Sequence, residues 1–145
     1  MKQILAGVYS LLVADDELKT LLEYNATTNN NILRFEGLKK YDLDTMLCFG
    51  KLTGSQGDLG LNSEVSNKIR NYDMQVQAFD RTDDINVSDI RERAIKVLHN
   101  QKLEEVGSMR SLNLEWERNL PIFYDNELMM YVGVSYYTLK IVDLS

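Results

Sequence analysis

NKIRNYDMQVQAFDRTDDINVSDIRERAIKVLHNQKL, running from Asn67 to Leu103, is the stretch whose reading decides the fold. Tyr72, Met74, Val76 and Ala78 fall at every second position and share one face of a strand. Asp73, Gln75 and Gln77 take the other, as in a sheet with one side wet. The acidic loop Asp80-Arg81-Thr82-Asp83-Asp84 breaks the alternation. Asn86 is then placed to cap a helix, with Asp89 in the first turn, where a negative charge suits the dipole. Val87, Ile90, Ala94, Val97 and Leu98 recur at steps of three and four, an apolar stripe, while Arg91, Glu92, Arg93 and Lys96 lie mostly off it. A strand with one apolar face followed by a helix with one apolar stripe packs stripe to face. The rest of the chain is expected to build on that unit.

Toward the N-terminus, Ile4, Leu5, Val8, Leu11 and Leu12 lie on one side of a helix. Asp15 is placed to cap a second, short helix through Leu22. Asn25 to Asn31 is polar and turn-forming. Ile32 to Phe35 reads as a short strand and Thr45 to Phe49 as a stronger one. Residues 50–67 hold Gly50, Gly54, Gly57 and Gly60 without sustained periodicity. They read as a long flexible loop of the kind that carries function in compact domains. Toward the C-terminus, Leu112, Leu114 and Trp116 alternate with Asn113, Glu115 and Glu117. The last pattern, Leu128 to Val142, places Met130, Val132 and Val134 on one side and Tyr131, Gly133 and Tyr137 on the other, a strand either central or covered on both faces. The expected architecture is one α+β domain, residues 1–145, with a mainly antiparallel sheet of about four strands and helices on one face.

Composition narrows the functional classes. The 145 residues are enough for one domain with a sizeable core. The 16 basic and 22 acidic side chains give a net charge of −6. Without a basic arm there is no electrostatic source for tight, sequence-independent binding to nucleic acid. The single cysteine, Cys48, excludes an internal disulfide and a cysteine-based zinc cage. Asp15-Asp16-Glu17 cuts short the apolar N-terminal stretch, so no signal-peptide pattern forms, and no segment is long enough to span a bilayer. These features predict a cytosolic protein without membrane contact.

Patterns that carry chemistry fail on spacing. Gly50-Lys51-Leu52-Thr53-Gly54 lacks the four-residue bracket and following Lys-Ser/Thr of a phosphate loop. Counted from Asp80, a calcium loop requires glycine sixth and glutamate twelfth, but Ile85 and Arg91 stand there. His99 is the only histidine and ends the central helix. Cys48 reads as a small core residue. No constellation supports an enzyme, and no cofactor or metal is expected.

The whole layout resembles the tail terminator, or tail completion, proteins of long-tailed bacteriophages. The segments that carry the resemblance are the opening Ile4 to Leu18, the strand Met74 to Asp80, the helix Val87 to His99 with its exit through Leu103 and Gly107, and the aromatic-rich last strand. The long 50–67 stretch departs from the family's shorter connection. The resemblance implies a structural protein of the virion tail or neck, assembled in the host cytoplasm. It implies a ring homo-oligomer, commonly a hexamer, that ends the tail tube. Its partners would be the tail-tube protein and a head-completion or neck protein, and DNA would pass through without tight binding. Gly50, Gly54, Gly57 and Gly60 are then candidates for an assembly loop. Asp80, Asp83, Asp84, Glu115 and Glu117 are candidate lumen acids that keep phosphates from sticking. A head–tail connector adaptor is the closest alternative, and a small-ligand-binding α+β domain a more distant one, recognisable by a well-formed apolar pocket.

Overall fold

The computed structural model describes residues 2–35, 43–58, 68–103, 109–111 and 113–143. Among them are three helices and seven strands in the order α1 (Lys2–Val13), α2 (Asp16–Leu22), β1 (Ile32–Arg34), β2 (Thr45–Asp58), β3 (Lys68–Asp80), α3 (Asp84–Leu98), β4 (Met109–Ser111), β5 (Glu115–Asn119), β6 (Phe123–Asp125) and β7 (Met130–Asp143). The fold is α+β with a mixed sheet in the order β1-β2-β3-β7-β4. Only the β1–β2 pair is parallel; the others are antiparallel.

The seven strands exceed the four expected because one lane of the sheet is broken. β3 occupies one side of β7 from Lys68↔Asp143 to Asp80↔Tyr131. β4, β5 and β6 therefore share its other side, facing residues 141–143, 135–138 and 130–132 in turn. A register shift between Trp116 and Arg118 and the proline at position 121 interrupt this lane. A bulge bends a strand, and proline lacks the N–H that a ladder needs.

The central unit forms as its periodicity dictates. Tyr72, Met74, Val76 and Ala78 are buried on one face, together with Val87, Ile90, Ala94 and Leu98 of α3. Val97 is only partly buried, at the margin of the stripe. The helix begins earlier than expected: Asp83, not Asn86, is the N-cap and accepts from the N–H groups of Ile85 and Asn86. The side chain of Asn86 is instead turned to Asp80, donating to Oδ2 at 2.9 Å. Asp15 caps α2 as expected, accepting from Leu18 N–H at 2.8 Å.

α1 and α2 pack with α3 over the same face of the sheet, and Ile4, Leu5, Val8, Leu12, Leu18 and Leu22 join that core. On the opposite face, Met46, Cys48, Phe79, Met130, Val132 and Val134 form a second apolar cluster, edged by Leu33, Phe35, Leu43, Leu120 and Leu128. β7 is thus covered on both faces, which explains why both of its alternating sets are apolar.

Of the flexible loop expected over residues 50–67, residues 50–58 belong to β2, and residues 59–67 lie outside the described residues. β2 runs through to Asp58 and β3 starts at Lys68, with Gly54↔Tyr72 and Gly57↔Ile69 in register. Gly60 lies outside the described residues. The register shifts between Gly50 and Thr53, so the inward–outward alternation slips there and hides the strand from a reading by periodicity. Gly50 takes φ 131°, a backbone conformation that side-chain-bearing residues rarely adopt.

Candidate assembly surfaces

The sheet has two unlike ends. At one end, Thr45, Asp80, Tyr131 and Tyr124 stand in a single rank across four strands. The turn into α3 and the β6–β7 hairpin both rise here. At the other, the long β2–β3 pair closes on Asp58↔Lys68, beside Asp143 of β7.

Asp80 organises the first end from within. It is 7% exposed, and its Oδ1 accepts from the N–H groups of Thr82 and Asp83, both at 2.9 Å. Its Oδ2 accepts from Thr45 Oγ1 and Asn86 Nδ2, also at 2.9 Å. Burial works against the charge, but these hydrogen bonds outweigh it and hold the carboxyl below its ordinary pKa. A carboxylate so fully engaged ties strand to helix and is not a free lumen charge. Asp83 is exposed but committed as the cap, and Asp84 is exposed in the first turn.

Glu115 and Glu117 are exposed on β5, well apart from those three. Glu115 pairs with Thr138 and Asp80 with Tyr131, a separation of about 23 Å along β7 at ~3.3 Å per residue. The five candidate acids therefore form two groups rather than one surface. Between them the face opposite the helices is mixed in charge. Arg118 lies over the Tyr136 ring, 4.6 Å from its centroid. Gln75 and Gln77 stand half-buried and hydrogen-bonded to each other on β3.

The two arginines of α3 are already occupied. Arg91 Nη1 donates to Leu120 O at 2.6 Å, and burial lowers its pKa. Arg93 holds Asp15 through two hydrogen bonds and Glu17 through a contact of 2.9 Å. His99 caps the C-terminus of α3, and its Nδ1 accepts from the N–H of Trp116 at 3.1 Å. That ring links the helix end to the β5 edge. Cys48 is fully buried.

Sequence reasoning missed the exposed apolar residues of the first end. Phe123 is 46%, Tyr124 43%, Met129 62% and Ile85 69% exposed. Tyr124 stacks edge-on against Tyr131 with 5.1 Å between centroids, and Met129 sits in the hairpin turn with φ 55°. The signal available was Phe-Tyr beside a turn, which period counting assigns to neither face. A depression between α2 and the following loop is lined by polar and charged residues including Asp16, Lys19, Glu23 and Asn25, unlike an apolar ligand site. None of the described helices is long and apolar enough to cross a membrane.

No family model and no curated protein matches the chain. Among solved structures, a chain in the virion of a native gene transfer agent particle is similar to it. The TM-score is 0.73 at 12% identity, covering 94% of this chain and 92% of that one. A likeness at that identity establishes the shared fold.

Proposed function

We propose that the chain is a structural component of a phage-type virion, and within that class a tail terminator. The observation that carries the class is the end-to-end likeness to a chain of a gene transfer agent virion, with nearly all of both chains superposed. The narrower reading is supported by the segments that resemble tail terminators, now seen as α1, β3, α3 and β7 of one sheet-and-helix layout. In this reading the protein forms a ring, commonly of six copies, that ends the tail tube and offers the head side a docking surface. DNA passes through it. Net charge −6 suits a passage that must not hold phosphates. Asp84, Glu115 and Glu117 are the candidate acids whose carboxylates remain at the surface.

The test is the mass of the purified protein, alone and mixed with the tail-tube protein of the same particle, by sedimentation and native mass spectrometry. A closed ring that binds the end of assembled tubes and stops their growth supports the terminator. A ring that ignores tubes and binds the head portal instead points to a connector adaptor. A chain that stays monomeric in both mixtures overturns the proposal.

A further inference from the structure

Two buried donors in the seam between α3 and β7, Arg91 Nε and Tyr137 Oη, have no hydrogen-bond partner. Gly133, Ser135 and Tyr137 alternate onto the face of β7 that packs with α3. Arg91 crosses that face at Gly133, with its Cδ 3.5 Å from where a Cβ would stand. Tyr137 is fully buried. The polar groups around the pair are matched. Leu120 O takes Arg91 Nη1, and Asn119 Oδ1 accepts from both Ser135 Oγ and Trp116 Nε1. Arg91 has no carboxylate either: among the described residues the ion pairs of α3 belong to Arg93, with Asp15 and Glu17. Burial pushes the Tyr137 phenol well above its usual pKa, and the nearby Arg91 charge acts against that rise. The hydroxyl therefore keeps its proton at neutral pH and can donate it.

From these two donors and the unopposed guanidinium charge we infer a site for one small monovalent anion, with chloride the simplest occupant, held by Arg91 Nε and Tyr137 Oη. A buried donor left unmet costs stability, and so does a partly buried charge without a counterion. A single anion answers both, because it accepts from N–H and O–H and carries the opposite charge. Water accepts equally well but leaves the guanidinium charge unopposed. Phosphate or sulfate brings more oxygens than two donors can serve, and taking those oxygens out of water is costly. The site lies within one chain, at the joint where α3 meets β7, so it stands whether or not copies form a ring. Bound anion would fasten helix to strand, and the stability gained would follow the anion concentration.

The test uses the full chain and reads thermal unfolding while chloride replaces gluconate, a far bulkier anion, at constant ionic strength. Tm should rise by roughly 3–6 °C once chloride reaches about ten times its Kd, and continue to climb only slowly beyond that. Tyr137→Phe removes only the hydroxyl, and Arg91→Gln removes the charge together with Nε. Each should lose most of the rise, with circular dichroism verifying that both variants remain folded. Crystals of the wild-type protein grown in bromide supply a readout that needs no variant. An anomalous bromide peak within hydrogen-bond distance of both donors supports the site. A Tm indifferent to chloride overturns it, as does the same chloride response in all three proteins. A bromide peak without any chloride effect on Tm is binding at crystal concentration only and overturns it too. An ordered water on both donors in place of bromide overturns the anion and assigns the site to solvent.

Discussion

Arg93 and Asp15 lie 78 residues apart and meet in a two-pronged contact, Nε to Oδ2 at 2.8 Å and Nη2 to Oδ1 at 2.6 Å. The same carboxylate caps α2 through Leu18 N–H. One side chain thus starts a short helix and fastens it to the central one, in a planar pairing that lysine could not reproduce.

Asp15→Ala removes cap and pairing together, and loss of the cap alone is worth about 0.5–2 kcal/mol. Asp15→Asn keeps an oxygen for Leu18 and loses the charge, so it should fall between the wild type and Asp15→Ala in urea denaturation. Equal losses for the two variants would show that the cap contributes nothing. The hydrogen bond from Arg93 is the main reason the Asp15 carboxyl titrates below its usual range, helped by Leu18 N–H against the cost of burial. Its contribution is therefore fully present above about pH 4, the ordinary carboxyl range, and is lost as pH falls through the lower folded value.

Asp80 predicts a second acid-sensitive step. Its folded pKa is depressed, so ionised Asp80 stabilises the protein above the ordinary carboxyl range and ceases to do so as acid protonates it. Asp80→Asn places an amide donor among four donors and should cost about 1–3 kcal/mol at neutral pH. The variant should also lose part of the wild type's decline in denaturation midpoint below about pH 4. An unchanged acid slope would mean that Asp80 titrates alike in the folded and unfolded chains.

Gly133 marks a close approach of α3 to β7. A Cβ there would stand 2.8 Å from Val87 Cγ1 and 3.4 Å from Arg91 Nη1. Gly133→Ala is expected to cost about 1–3 kcal/mol by overpacking. Val87→Ala in the same chain should return part of that loss, giving a coupling that separate sites would lack. Strict additivity in the double variant would place the strain elsewhere.

Ile90→Ala, at a fully buried site between helix and sheet, should cost about 2–5 kcal/mol. Val97→Ala, at the half-buried margin, should cost clearly less. If the order were reversed in thermal or chemical unfolding, the stripe would face something other than the sheet.

Duplex DNA should bind the isolated protein weakly. Arg91 and Arg93 are held by Leu120 and by Asp15 and Glu17, which leaves Lys96 exposed on α3 without a neighbouring cluster there. Affinity tighter than roughly micromolar at physiological salt, falling steeply as salt is added, would require a basic patch. That result would replace an open passage with a DNA-gripping adaptor.

How much of this was legible follows from which forces act locally. The burial of Val87, Ile90, Ala94 and Leu98 against Met74 and Val76 could be read directly, because helix and strand periods repeat over several turns and residues. The capping role of Asp15 was equally plain. The cap at Asp83 was misplaced to Asn86, since both are good caps and only the Asp80 carboxylate, by engaging the Asn86 side chain, decides between them. The extension of β2 to Asp58 was invisible because its residues are held by pairing with β3 and not by their own alternation. The parallel seat of β1 on β2 and the broken lane along β7 are likewise products of contacts distant in sequence. The two-ended surface was least legible. It arises from the register that ranks Tyr124, Tyr131 and Asp80 together, and registers are not written in any one segment.

The broken lane of β4, β5 and β6 has a consequence for what the protein avoids. Trp116 N–H is taken by His99, Leu114 is paired with Gln101, the register slips before Arg118, and Pro121 has no N–H to give. An incoming strand would find few regular donors and acceptors along this lane, and several charges. The lane is thereby a poor template for amyloid-like growth. The chain can then remain concentrated without its sheets fusing along this lane into fibres.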